Sequence, residues 1–265
     1  MPYVPLTKCR SVVLREVSIV RLRPEIPTYM TLHLRSPRQS LAAGAAALGI
    51  ALFAGRRVEA AELRLLVFLH VAQKQRALQS ELQAALPALV VTAVGRLADF
   101  ERGLRDGQDA VLTLPLVMSA FGMNPQVQGR SAGSPEEKYS LVSSGAAVDP
   151  ARVTAVGALD ILGRDATTSF VHGLLGARPR VERVTKVEDL LPLLQMQRVD
   201  AVLLPSRLVA EVQTASRLSL TQRELASQVK LPALASVGGG GSQAISLVSR
   251  LPLKVSKTLG VDEWR

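Results

Sequence analysis

From residue 63 onward the hydrophobic positions follow two alternating rhythms. Residues 63–69 (LRLLVFL) are a short apolar run, which predicts a buried strand. Leu78, Leu82, Ala85 and Leu86 come next at helical spacing, and Pro87 closes that helix. Residues 88–94 (ALVVTAV) predict a second strand. Leu97, Phe100 and Leu104 mark a second amphipathic helix stopping near Gly107, and residues 109–115 (DAVLTLP) predict a third strand. A polar stretch at 122–138 breaks the rhythm; residues 139–142 predict a strand and 143–152 a connection. The alternation then restarts, with strands expected at 153–159, 180–185 and 199–205. Ala166, Phe170, Val171 and Leu174 mark a helix ending at Gly176. Val187, Leu190, Leu191 and Leu194 form an apolar face that includes Pro192, and Leu208, Val209 and Val212 begin another helix.

Strands separated by helices of this length predict parallel sheets with crossover helices. One short sequence occurs twice: Asp109-Ala110-Val111-Leu112 reappears as Asp200-Ala201-Val202-Leu203. Each copy comes after an amphipathic helix and leads to a proline, Pro115 or Pro205. The same four residues at the same station of two βαβαβ units predict two similar lobes.

Composition adjusts this picture in three ways. Aromatic residues are 3% of the chain, which argues against an aromatic-lined carbohydrate cleft and against base stacking on single-stranded nucleic acid. The net charge of +10 is concentrated at the start, because residues 1–60 hold nine of the 32 Lys/Arg and only three of the 22 Asp/Glu. The remainder carries an ordinary soluble surface, so no nucleic-acid partner is expected. The one cysteine, Cys9, lies in the same leading segment, leaving no disulfide or thiolate ligand beyond it.

Residues 30–61 read as a secretory signal. Arg35 and Arg38 precede an uncharged apolar run at 41–55, and Val58-Glu59-Ala60 supplies a small-residue cleavage pattern before Ala61. The run has 15 residues, short of the roughly 20 needed for a permanent span, with an uncleaved anchor as the alternative. Residues 1–60 are therefore expected to be a leader, with translation beginning at Met30, and the mature region to be periplasmic.

The segments LRLLVFLHVAQKQRALQSEL, FERGLRDGQDAVLTLP, VGALDILGRDATTSFVHGLLG and VEDLLPLLQMQRVDAVLLP, in this order, resemble the type 2 periplasmic solute-binding fold. The phosphate/phosphonate-type branch of ABC transporter receptors is the nearest match. The resemblance spans residues 62–265. It implies a two-lobed α/β protein, each lobe a mostly parallel sheet flanked by helices, with lobe 1 at 61–145, lobe 2 at 146–220 and a return to lobe 1 at 221–265. The crossings are expected near 143–152 and 218–224, with Leu247, Leu251 and the final LGVDEWR packing back on lobe 1. A mature region of this length is small for the fold.

Ligands of open α/β sheets bind beyond the carboxyl ends of the strands. Four loops are expected at that edge. The first holds His70, Val71 and Gln73, and the second Thr113, Pro115 and Ser119. The third, Gly163-Arg164-Asp165-Ala166-Thr167-Thr168-Ser169, gathers a cation and three hydroxyls at a helix start; Asp165 is expected to cap the helix, and Arg164 is the candidate for an anionic group. The fourth holds Pro205, Ser206 and Arg207. Ligand contacts are expected from His70, Gln73, Thr113, Ser119, Arg164, Thr167, Thr168, Ser169 and Ser206. His172 is expected to be structural. Gly238-Gly239-Gly240-Gly241-Ser242 matches neither a dinucleotide fingerprint nor a P-loop, leaving a flexible loop or a segment folding over the cleft.

The sequence has no nucleophile elbow, no His-Glu-x-x-His and no Cys/His cluster. The expected function is non-enzymatic, cofactor-free binding of a small anionic solute for delivery to a membrane transporter. The alternatives are an envelope-interaction or sensing protein that keeps the fold, and a transferase-like enzyme on the same fold.

Overall fold

A computed structural model describes residues 62–265, Ala72 excepted. The expected leader, its apolar run and the cleavage point lie outside the described residues.

The first lobe opens with three parallel strands, β1 (Leu63–Phe68), β2 (Leu89–Val94) and β3 (Ala110–Thr113), joined by the crossover helices α1 (Gln75–Ala85) and α2 (Leu97–Arg105). Leu78 and Leu82 of α1 and Phe100 of α2 are buried against the sheet, as their spacing predicts. After α3 (Pro115–Ala120) comes β4 (Val127–Arg130), a strand inside the polar stretch.

The second lobe contains β5 (Glu136–Ser144), β6 (Ala155–Leu159), α4 (Gly163–Leu175), β7 (Arg180–Val184), α5 (Leu190–Gln195), β8 (Ala201–Pro205), α6 (Val209–Ala215) and β9 (Leu220–Lys230). Helix α4 stops at Gly176, whose φ of 65° is the left-handed cap that favours glycine. Pro192 sits in the first turn of α5, where its missing N–H has no helical partner to lose, so the helix survives it. The chain returns to lobe 1 as β10 (Ala233–Ser236), α7 (Gly241–Val248), α8 (Leu253–Thr258) and β11 (Glu263–Trp264). Leu251 is buried in the first lobe's core, with Leu247 and Trp264 packed against it.

The two sheets share a plan. Their orders are β11-β4-β10-β3-β1-β2 and β7-β6-β8-β5-β9. In each, the parallel strands lie second, first, third, and an antiparallel strand stands beside the third: β10 against β3, β5 against β8. Strand β8 is buried on both faces; Ala201 and Leu203 join one apolar cluster and Val202 and Leu204 the other.

The crossings lie outside the expected positions. The chain changes sheets between β4 and β5 and between β9 and β10, around residues 131–135 and 231–232 rather than 143–152 and 218–224. Strands β5 and β9 pair from Glu136↔Lys230 to Ser144↔Leu220 and so belong to the second sheet. Strand β9 lies at that sheet's edge and buries only Leu225 and Val229, so its hydrophobic alternation is too sparse to read as a long strand.

The repeated sequence has one physical role in both lobes. Asp109 begins the third strand of lobe 1, and its carboxylate accepts from Arg64 N at 2.9 Å, where β1 starts. Asp200 does the same in lobe 2, accepting from Thr154 N at 2.8 Å and Ala155 N at 3.0 Å, where β6 starts. Each aspartate ties the beginnings of two neighbouring parallel strands, where main-chain donors would otherwise lack partners.

Asp109 also accepts from Gly240 N at 2.9 Å. A Cβ on Gly240 would meet Leu63 and Asp109, and one on Gly241 would meet Ser236 and the Asp109 carbonyl. The glycine run is therefore a close-packing device before α7, at the end of the sheet opposite the strand carboxyl termini, and neither a free loop nor a cover for the cleft. Among the described residues, no helix is long and apolar enough to cross a membrane.

Asp109→Ala is expected to lower the unfolding free energy by about 1–3 kcal/mol, since two main-chain donors lose a charged acceptor. Asp200→Ala removes three such bonds, from Thr154 N, Thr154 Oγ1 and Ala155 N, but should cost less because Asp200 is exposed and water can replace it. Urea denaturation of the two variants checks the order.

Candidate functional site

The carboxyl ends of the parallel strands from both sheets meet at one cavity. Leu69 and His70 come after β1, and Leu114 after β3. From the other lobe come Leu159 and Ile161 at the end of β6, and Leu203, Pro205 and Arg207 at the end of β8. Glu137 and Tyr139 of β5, with Ala158 and Phe170, complete the wall. The cavity measures about 30 Å³, room for two water molecules or a group of that size, at roughly 10–15 Å³ each.

The lobes are in contact around it. Leu162 of lobe 2 packs against the cores of both lobes. Arg207 of lobe 2 lies over Gly260 of lobe 1, where a Cβ would come within 2.5 Å of its Nε. Gly260 has a φ of 79° and comes just after α8, so glycine there meets a turn requirement and a close approach together.

Charge in the cavity is balanced within the protein. Arg207 Nε donates to Glu137 Oε2 at 2.9 Å, and the two side chains are 24% and 10% exposed. That degree of enclosure makes each partner depend on the other, because an unpaired charge there would be strongly destabilising. Burial pushes the Glu137 carboxyl above its ordinary range, opposed by the charge and hydrogen bond of Arg207. Burial, reinforced by Glu137, also pushes the Tyr139 phenol upward. Burial lowers His70 to about 4, against a smaller raising effect of Asp160. His70 is partly exposed as a residue, but its Nε2 is enclosed and has no partner, and the same holds for Glu137 Oε1.

Beyond Arg207 a more polar recess of about 230 Å³ opens, lined by Val71, Gln73, Arg207, Leu208, Glu211, Lys257 and Thr258. Gln73 Nε2 and Thr258 Oγ1 both donate to Glu81, at 3.0 and 3.3 Å. Among the described residues, no group of three or more His, Cys, Asp or Glu is arranged to hold a metal ion.

No protein-family model matches the sequence, and no curated relative matches it either. Solved structures do. The BvgS VFT2 domain of Bordetella pertussis aligns over 75% of this chain and 91% of its own, with 14% identity and a TM-score of 0.50. A Xanthomonas citri protein solved with a bound chloride ion aligns over 77% and 91%, with 10% identity and a TM-score of 0.54. The arginine-binding protein ArgBP of T. maritima aligns over 74% and 94%, with 13% identity and a TM-score of 0.47. The fold is that of a two-lobed periplasmic binding protein.

In this binding-protein fold the expected contact residues divide into three groups. His70 lines the cavity, and Gln73 lines the adjoining recess. Thr113, Thr167 and Ser206 stand near strand ends, but their hydroxyls are engaged within the protein. Thr113 Oγ1 donates to the Phe68 carbonyl at 2.8 Å. Thr167 Oγ1 donates to Asp160 at 3.1 Å and accepts from Leu162 N at 3.0 Å. Ser206 Oγ pairs with Ser140 Oγ at 2.7 Å. Ser119, Arg164 and Ser169 are exposed. Arg164 and Thr168 border a shallow depression with Asp165, Glu182 and Arg183, which shares no residue with the cavity.

At the α4 start the polar side chains of the third loop are not part of the cavity wall, whereas Ile161 before it and Phe170 within the helix are. Asp160, and not Asp165, supplies the acceptor there, taking Gly163 N at 2.8 Å and pairing with Arg183. His172 Nε2 meets the Pro179 carbonyl at 3.0 Å, a structural contact as expected. Glu137, Tyr139 and Lys257 escape the sequence reading. Glu137 and Tyr139 lie two apart and so share a face of β5, a signal present in the sequence. Lys257 reaches the recess from the returning chain, which no local pattern encodes.

His70 makes folding pH-dependent in a defined window. The unfolded imidazole binds a proton below about pH 6.5 and the folded one only below about 4, so acid between those values favours unfolding. Stability from this group is complete above about pH 6.5 and falls as pH drops toward 4. Wild type should therefore lose about 2–3 kcal/mol more than His70→Gln between about pH 7.5 and about pH 4.5. Urea melts at both pH values measure it; equal losses would remove His70 from the account.

Proposed function

We propose that this chain is an exported binding module that closes its lobes on a small anionic solute and delivers it to a membrane transporter. The observation that carries this reading is the meeting of four strand ends from two sheets at one cavity, with Arg207 in its wall. Such edges are where open α/β sheets hold ligands. Residues from both lobes line the cavity, so a bound solute would stabilise the closed arrangement by the contacts it adds. The anionic group is assigned to Arg207 and the neighbouring Lys257, replacing Arg164. The reading of residues 30–61 as an export signal supports a periplasmic location. Kinship with the phosphate/phosphonate-type branch belongs to this proposal and rests on the order of elements.

A second reading is favoured by one specific observation. Glu137 already neutralises Arg207, and the cavity beside them is small and mostly apolar. A protein that keeps the fold for envelope interaction or sensing, without carrying solute, would have this arrangement.

A thermal-shift screen with phosphate, alkylphosphonates and short carboxylates separates the two. A solute at about a hundred times its Kd should raise Tm by roughly 5–10 °C in a protein of this size. Arg207→Gln should weaken that solute by about 30-fold or more, the cost of removing a partner from an enclosed charge contact. Arg164→Gln should leave its affinity unchanged. If no member of the screen shifts Tm, the second reading stands.

A further inference from the structure

Two residues of the cavity wall carry hydrogen-bonding capacity that the protein itself does not use. His70 Nε2 and Glu137 Oε1 are both enclosed without partners, and they approach from opposite lobes. The Tyr139 phenol lines the same wall, close enough for the charges of Glu137 and Arg207 to act on it. An enclosed polar atom left unpaired costs stability. A group that donates to a carboxylate oxygen and also bonds an imidazole nitrogen would recover that cost.

The chemistry of such a group is narrowed by charge and by space. Arg207 and Glu137 already balance each other at 2.9 Å, and burial keeps His70 neutral at ordinary pH. A further charge beside them would enter without a counter-ion, which is expensive away from water. A hydroxyl carries one donor hydrogen and acceptor lone pairs on one oxygen, and it is no larger than a water. The volume of about 30 Å³ admits a group of that size. Around it the walls are apolar, formed by Leu69, Leu114, Ile161 and Phe170. Arg207 is common to the linings of the cavity and the polar recess, so the two adjoin at its side chain.

We infer that the solute is a short hydroxylated organic anion, its hydroxyl enclosed among His70, Glu137 and Tyr139, its carbon chain against the apolar wall, and its anionic group outward at Arg207 and Lys257. This rests on the cleft being the solute site, and it adds the class of solute. It also gives the Glu137–Arg207 pair two simultaneous tasks, since Glu137 Oε2 holds the arginine while Oε1 remains for the ligand.

The test is isothermal titration of the full chain with paired anions. Propanoate, butanoate, pentanoate, ethylphosphonate and propylphosphonate are each compared with their ω-hydroxy counterparts. At least one hydroxylated member should bind about tenfold or more tighter than its parent, the size expected when an enclosed acceptor gains its donor. Tyr139→Phe and Glu137→Gln should bring that ratio toward one; the tyrosine variant keeps the ring and decides the matter if the glutamine variant does not fold. Binding of anions with no preference for the hydroxyl would overturn this inference and leave solute binding intact, as would a bound water filling the same space. A preference untouched by Tyr139→Phe and Glu137→Gln would overturn the assigned position. Absence of binding by every pair and by phosphate would overturn both this inference and the proposed function.

Discussion

A chain that leaves one sheet to build another, and then returns, must pass the same place twice. Here the two passages run side by side as β5 and β9, antiparallel from Glu136↔Lys230 to Ser144↔Leu220. Main-chain pairing satisfies the polar groups of both passages. The connecting residues are tied as well: Leu231 N donates to the Pro135 carbonyl at 2.8 Å, and Gly129 N to the Pro232 carbonyl at 2.8 Å. This neck shapes both sheets and the cleft between them. It puts an antiparallel strand beside the third parallel strand of each sheet, and it brings Glu137 and Tyr139 to the base of the cavity. A cleft built this way has a floor of paired strands and walls of strand ends.

Arg207 is the residue on which the competing demands of this cleft converge. It neutralises Glu137, packs on the Gly260 backbone of the other lobe, and borders both the cavity and the recess. A guanidinium suits these tasks because its donors lie in one rigid plane, so one edge can hold a carboxylate while another faces outward. Lysine offers a point charge and no such division. Gly260 is the complementary choice, since any side chain would occupy the space the arginine needs. The contact between lobes therefore depends on a large residue from one and the smallest residue from the other.

Much of the fold is legible because parallel strands buried on both faces leave continuous apolar runs. Strands β1, β3, β6 and β8 fall within such runs; the edge strands β2 and β7 also fall within predicted strands, although β7 (RVERV) buries none of its residues, and the shared Asp-Ala-Val-Leu marks equivalent third strands. Strands β4 and β9 escape that reading for a common reason. Each sits toward the outer part of its sheet with few buried positions, so alternation alone does not distinguish it from a loop. The site is less legible than the fold. Residues immediately after β1 and β8 can be located from strand ends, and His70 and Arg207 are such residues. The α4 start misleads because oxygen-bearing side chains near a helix terminus serve its own backbone as readily as a ligand, as the Thr167 hydroxyl and the Asp160 carboxylate do here. Glu137 and Lys257 come from the passage between lobes and from the returning chain. Their positions depend on where the chain crosses, and that is fixed by pairing over many residues rather than by a local signal.

The division of the cavity between lobes has an energetic consequence. Lobe 1 contributes His70, uncharged because it is buried, while lobe 2 contributes the balanced pair of Glu137 and Arg207. Where separation of the lobes admits water to His70 Nε2 and Glu137 Oε1, which have no partners when the lobes meet, both atoms regain hydrogen bonds. Closure of the empty cleft thus gains apolar contact but strips water from two polar atoms, and these contributions oppose each other. A ligand that partners those atoms removes the opposing contribution only in the closed arrangement. Its differential affinity for the two states, and not its total contact area, then sets how far the population moves. The unpaired nitrogen and oxygen are the means by which this cleft would distinguish an occupied closure from an empty one.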